Sequence, residues 1–175
     1  KWNTELKKEL SPEDGILKTK TGFCFIPQTE LSLIYTDKGK GRRIHHVILA
    51  PDLETVDQIT EALKKRGRVD YDGRPIFKIP SPELVEMMQS INNKIELIPA
   101  HIWTPWFGML GSMSGFDSLK DCFEEKSSKI NAIETGLSSD PPMNWRIKEL
   151  DDKAIVSFSD LHSFWPWRMG RECTI

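Results

Sequence analysis

Apolar residues along this chain fall into two rhythms: short runs of strand length, and stretches where they return every three or four positions. Residues 23–26 and 31–35 read as strand material around Glu30, and residues 44–50 resume after a turn containing Gly39 and Gly41. Asp52 is placed to cap a helix carrying Leu53, Val56, Ile59 and Leu63 on one side, with Gly67 as its left-handed stop. Ser81 followed by Pro82 reads as a cap and a first-turn proline, opening a helix that turns Leu84, Val85, Met88 and Ile91 inward. Three further runs of strand length, 95–100, 130–134 and 154–159, are separated by helices expected near 117–125 and 144–150. The alternation predicts an α/β fold with parallel strands, in which chemistry collects where strands end and their loops converge. Residues 71–75 read as an Asp-Gly turn.

Composition narrows the class. The 175 residues fit one domain, 38% hydrophobic and 29% charged, and no apolar run approaches the roughly 20 residues that a membrane-spanning helix needs. Cys24, Cys122 and Cys173 are odd in number and lack close spacing, which points to reduced thiols and a cytoplasmic setting. A net charge of −2 gives the molecule no general attraction for nucleic acid, so any such contact falls to local patches. Two exist: Lys38, Lys40, Arg42 and Arg43 in a loop, and Lys64, Lys65, Arg66 and Arg68 after a helix, where they also complement its dipole.

The histidines carry the chemical signal. His45, His46, His101 and His162 all fall at strand edges. Asp160 and His162 follow the last strand at i and i+2, a spacing that in extended chain lets a carboxylate and an imidazole share one ion. Mixed oxygen and nitrogen donors suit zinc, manganese or iron better than calcium. His101 closes a strand and opens the apolar loop 101–107, while Glu30 and Glu134 end other strands. Alone, each of these is a surface group or a packed loop residue. A barrel would bring Glu30, His45 or His46, His101, Glu134, Asp160 and His162 to one rim. No phosphate-binding glycine loop, serine elbow or H-E-x-x-H is present.

The stretches 98–107 (IPAHIWTPWF) and 134–146 (ETGLSSDPPMNWR), with Gly170-Arg171-Glu172, resemble the endonuclease Q branch of the PHP (polymerase and histidinol phosphatase) superfamily of phosphoesterases. That resemblance implies an incomplete, distorted (βα)7 barrel lacking its first strand or strands, because the family's opening His-x-His motif and the ligand motif after it would precede Lys1. It also implies two or three divalent ions, Zn, Mn or Mg, and DNA containing deaminated bases as partner, nicked 5′ of the lesion. Carried over residue by residue, Glu30 looks like the bridging carboxylate, His101 the ligand of the Ala-His strand end, Asp160 and His162 the closing Asp-x-His pair, and His45 the better match of the histidine pair. Leu161 and Phe164 depart from the small residue and the proline usual in that last motif.

Trp103, Trp106 and Trp145, with Arg146 and Arg171, are the expected substrate contacts, since a nuclease selecting a damaged base extrudes it and stacks it on aromatic groups. For the tryptophans, loop packing is the competing reading. Two other functions stand beside the nuclease. One is a small-molecule phosphoesterase, against which the long aromatic loop argues. The other is a catalytically incomplete binding module that self-associates through the exposed barrel gap.

Overall fold

A computed structural model describes residues 2–13, 16–70, 74–162, 165, 167 and 173–174. The chain opens with α1 (Trp2–Glu9) and a small antiparallel sheet of β1 (Leu10–Glu13), β2 (Ile16–Thr19) and β3 (Cys24–Phe25). The centre is a four-stranded sheet built on β4 (Gln28–Asp37) and β5 (Lys40–Leu49), with β6 (Ile76–Phe77) beside β4 and β7 (Glu96–Pro99) beside β5. A third sheet orders β10 (Cys173–Thr174), β9 (Ala154–Ser157) and β8 (Ala132–Glu134).

The fold is mixed α/β, and its strands are not uniformly parallel. β4 pairs with β5 antiparallel along all ten residues, because Lys38 and Gly39 both take positive φ (46° and 79°) in a two-residue turn that reverses the chain at once. A parallel pairing requires a crossover of a dozen residues or more, and two cannot supply it. β7 is also antiparallel to β5, whereas β6 with β4 and β8 with β9 are parallel. Among the described residues the ladders make three sheets rather than one closed barrel. The second and third meet where the Ile102 amide donates to the Glu134 carbonyl at 3.0 Å.

The long hairpin separates two environments by its period of two. Leu31, Leu33, Ile44 and Ile48 face the main core, where they meet Ile59 and Leu63 of α2 (Leu53–Lys64) and Leu84, Val85 and Met88 of α3 (Ser81–Ile91). Glu30, Ser32, His45 and Val47 alternate with these and face the opposite side, where Val47 packs with Ile98, Ala100 and Ala132 in a smaller cluster. Asp52 caps α2 as expected, accepting from the Thr55 amide at 2.6 Å. Two capping expectations fail. Gly67 has no left-handed φ and instead leaves room for the Phe77 ring, 3.3 Å from where its Cβ would sit. Ser81 is the first residue of α3, with Pro80 as its cap, because the Ser81 hydroxyl is committed to His46 and Tyr35. α4 (Leu119–Phe123) is shorter than expected and runs into a 3-10 segment, and in place of the short helix expected near 144–150 the chain forms a single turn, α5 (Pro141–Asn144), and a 3-10 turn at Lys148–Leu150.

Candidate metal centre

The hairpin register sets the first two groups. Ser32 lies opposite His45 and Glu30 opposite Val47, so Glu30 and His45 are diagonal neighbours on one face of the sheet. β7 adds the third: the Ala100 amide donates to the His45 carbonyl at 3.0 Å, and His101 follows directly. Glu30 Oε1 then lies 3.0 Å from His45 Nδ1 and 3.4 Å from His101 Nε2, and the two ring nitrogens are 3.2 Å apart. Three possible ligand atoms thus point at one locus. His46, one residue along, faces the other way into the core, fully buried against Phe123 with Nε2 3.0 Å from the Ser81 hydroxyl. The choice between the paired histidines is therefore geometric: only His45 faces Glu30.

His101 is held by several constraints. It takes φ 32°, a left-handed conformation uncommon for a non-glycine residue. Its Nδ1 lies 2.9 Å from Thr104 Oγ1, and the single Thr104 hydroxyl proton is directed to the carbonyls of His101 and Trp106. Thr104 therefore accepts from Nδ1–H, which leaves Nε2 directed at Glu30. Gly136, at φ 58°, packs against this residue so closely that a Cβ there would lie 2.8 Å from the His101 Cβ.

Glu134, 3% exposed, turns out to be a brace. Its carboxylate accepts from the amides of His101, Gly136 (2.5 Å) and Phe158 (2.9 Å), tying together the ends of β7, β8 and β9. Its oxygens are satisfied by main chain, so it supports the cluster from behind rather than joining it.

Asp160 lines the same cavity of about 280 Å³ as Glu30, His101 and Glu134. His162 does not join the cluster. Asp160 adopts φ 49°, so the chain is not extended there, and the exposed His162 ring folds back to put Nδ1 2.7 Å from the Asp160 carbonyl. The pair is thus not held by extended backbone as expected, although His162 Nδ1 still lies 3.7 Å from Asp160 Oδ1. Arg74, which the sequence reading passed over, stands between the acids: Nε is 3.1 Å from Glu30 Oε1, Nη2 3.2 Å from Oε2, and Nη2 3.7 Å from Asp160 Oδ1. Its place in the expected Asp-Gly turn, of which residues 71–73 lie outside the described residues, is the one sequence signal near it.

The electrostatics follow. Burial opposes ionisation of Glu30, but contacts with His101 and His45 and the Arg74 charge outweigh it and hold the carboxyl far below its usual range. Burial lowers the His45 pKa in spite of Glu30, while at His101 the burial penalty is overcome by Glu30, Asp160 and Glu134 and the pKa rises. The donor set fits a divalent cation. Glu30 Oε1 is buried and lacks a properly directed hydrogen bond even though nitrogens surround it, and one carboxylate with two imidazoles is a combination suited to zinc or manganese.

The expected substrate contacts divide. Trp103 is half-buried against the core and gives its indole N–H to Asn144 Oδ1 at 2.9 Å, so it props the loop. Trp106 and Trp145 are 46% and 59% exposed, and Arg146 is exposed. Arg171 lies outside the described residues. Of the first basic patch, Arg42 is structural, bonded to the Gly115 carbonyl and stacked 3.9 Å from the Phe116 ring centre. In the second, Arg66 pairs with Glu83 and Lys64 with Glu61, which supports the helix-end reading.

No protein-family model matches the chain. It is 43% identical over 70 residues to an uncharacterized protein of Methanocaldococcus jannaschii, covering 40% of this chain and 8% of that one. It is 28% identical over 134 residues to the uncharacterized protein YqxK of Bacillus subtilis, covering 74% of this chain and 32% of that one. Among solved structures it matches endonuclease Q in complex with a 27-mer duplex substrate carrying an abasic lesion at the active site, with a TM-score of 0.76 and 32% identity, over 97% of this chain and 40% of that chain. The chain thus spans well under half the length of each of these relatives. Across nearly all of its own length it carries an endonuclease Q-like α/β fold.

Proposed function

We infer that the chain is part of a metal-dependent DNA endonuclease that nicks 5′ of deaminated bases, its residues forming the rim of an incomplete (βα)7 barrel. The observation that carries this reading is the convergence of Glu30 Oε1, His45 Nδ1 and His101 Nε2 at one edge of a cavity that Asp160 also lines. Likeness to an endonuclease seen with duplex DNA supports it.

Glu30, His45 and His101 would hold the cation, with Asp160 on the wall of the adjoining cavity. A divalent ion bound there supplies Lewis-acid activation of water and neutralises charge on a phosphate. The chain's own groups do the positioning. Thr104 fixes the His101 tautomer, Glu134 fixes the strand ends behind it, and Phe107, stacked 4.3 Å from His45, shields that ring from water. Exposed Trp106 and Trp145 offer faces on which an unstacked base rests, and Arg146 offers charge for the backbone.

The test is a labelled duplex carrying one hypoxanthine or uracil, incubated with the full-length protein and Mn(II) or Zn(II). A single nick on the 5′ side of the lesion, lost with EDTA and in His101→Ala, is expected. Intact duplex alongside hydrolysis of p-nitrophenyl phosphate would replace this reading with a small-molecule phosphoesterase.

A further inference from the structure

We propose that Arg74 is the residue that takes the substrate phosphate beside the metal locus, held ready for it by Glu30 and Asp160. The assignment rests on the metal-site reading above and adds a group to it. Nη2 of the guanidinium donates to Glu30 Oε2 at 3.2 Å, and Nε lies 3.1 Å from Oε1 as an ion-pair contact, so one edge of the group is held against the carboxylate. Asp160, 3.7 Å from Nη2, steadies the same side. Nη1 donates no hydrogen bond among the described residues, and the side chain keeps 27% of its surface exposed.

Arg74 also lines two adjoining cavities, the one containing Glu30, His101 and Asp160 and a second bordered by Thr29, Leu161 and His162. A cation on the wall between them meets an anion entering from either side. The other ionisable groups lining the first cavity are acids or an imidazole, so without Arg74 a phosphate oxygen placed there would face Glu30 and Asp160. Arginine suits this place better than lysine: one edge of its fork stays on Glu30 while the other donates to a non-bridging phosphate oxygen. Its charge also sits beside Glu30, so it opposes a cation bound to that carboxylate. Arg74 therefore acts on the phosphate and not as a support for metal binding.

That split defines the test. In the full-length protein, Mn(II) affinity, inorganic phosphate affinity of the Mn(II)-loaded protein, and single-turnover nicking of a lesion duplex are compared for wild type, Arg74→Ala and Arg74→Lys. Arg74→Ala is expected to bind Mn(II) as tightly as wild type or more tightly, to lose at least tenfold in phosphate affinity, and to nick on the order of 100-fold more slowly. Arg74→Lys should recover only part of the last two. Phosphate affinity unchanged in Arg74→Ala, or no phosphate binding by wild type, overturns the assignment. So does a tenfold loss of Mn(II) affinity, which would make Arg74 a support for Glu30. A wild-type protein that binds phosphate through Arg74 yet cleaves no DNA would leave the assignment standing and overturn the nuclease reading instead.

Discussion

Glu134→Gln is the most informative single change, because it keeps the volume of a buried side chain and alters only which atoms accept. In the structure Oε1 takes the Gly136 and Phe158 amides and Oε2 takes that of His101. Glutamine has one carbonyl oxygen. Left on Gly136 and Phe158, it turns an NH2 group toward the His101 amide, so two donors face each other in a site closed to water. Charge-assisted bonds of this kind are worth about 1.5–3 kcal/mol each, and an orphaned buried donor costs about 1–3 kcal/mol. The lost bond and the unpaired amide are one event costing about 1–3 kcal/mol, and weakening of the two remaining bonds brings the total to about 2–4 kcal/mol. In a domain of this size that lowers Tm by roughly 5–15 °C. Because the His101 amide is the one released, affinity for Zn(II) or Mn(II) should fall by about 10- to 100-fold, as for other residues that orient a ligand from behind. Differential scanning fluorimetry and titration calorimetry well below Tm separate the two effects, since lost stability alone does not change affinity in the folded state. A Tm within about 2 °C of wild type together with unchanged metal affinity would refute the brace.

Other expectations follow from the same geometry. Gly136→Ala puts a Cβ 2.8 Å from that of His101 at φ 58°, and a left-handed alanine alone costs about 1–2 kcal/mol; lower Tm and weaker metal binding should appear together in melting and calorimetry. Metal added at about 100 times its Kd should stabilise by about 2.7 kcal/mol, raising Tm by roughly 5–10 °C in wild type but not in His45→Ala, as read by thermal melts with and without EDTA. Trp103→Ala should cost about 3–5 kcal/mol in denaturant unfolding, whereas Trp106→Ala, at an exposed site, should leave stability within about 0.5 kcal/mol and weaken duplex binding measured by anisotropy. Exposed Cys24 should alkylate readily at pH 8, while Cys122, whose thiol burial pushes up to about 12, should resist until the protein unfolds; peptide mapping by mass spectrometry reads both.

Much of this protein was legible along the chain. The period of apolar residues located α2 and α3 and their buried faces, since that signal depends only on which positions of a helix meet the core. The strand-edge expectation held for His101 and Asp160, which follow β7 and β9, but not for Glu30, which lies within β4, or for His45 and His46, which sit mid-way along β5 because that strand starts at Lys40, directly after the two-residue turn. Strand direction was not visible as read. The turn at Lys38 and Gly39 joins two long antiparallel strands, and its significance lies in two positive φ angles rather than in composition.

What the sequence determined by itself, then, is the set of side chains able to hold a cation and the secondary structure that carries most of them. Which of them meet was decided only in three dimensions. Register on the hairpin turned His45 toward Glu30 and His46 into the core. A left-handed backbone at Asp160 sent His162 outward, and the guanidinium of Arg74, distant in the chain, came to rest on Glu30. The physical reason is that each outcome depends on a pairing register or a single backbone angle, and a shift of one residue or one φ well moves a side chain to the opposite face without altering any local pattern.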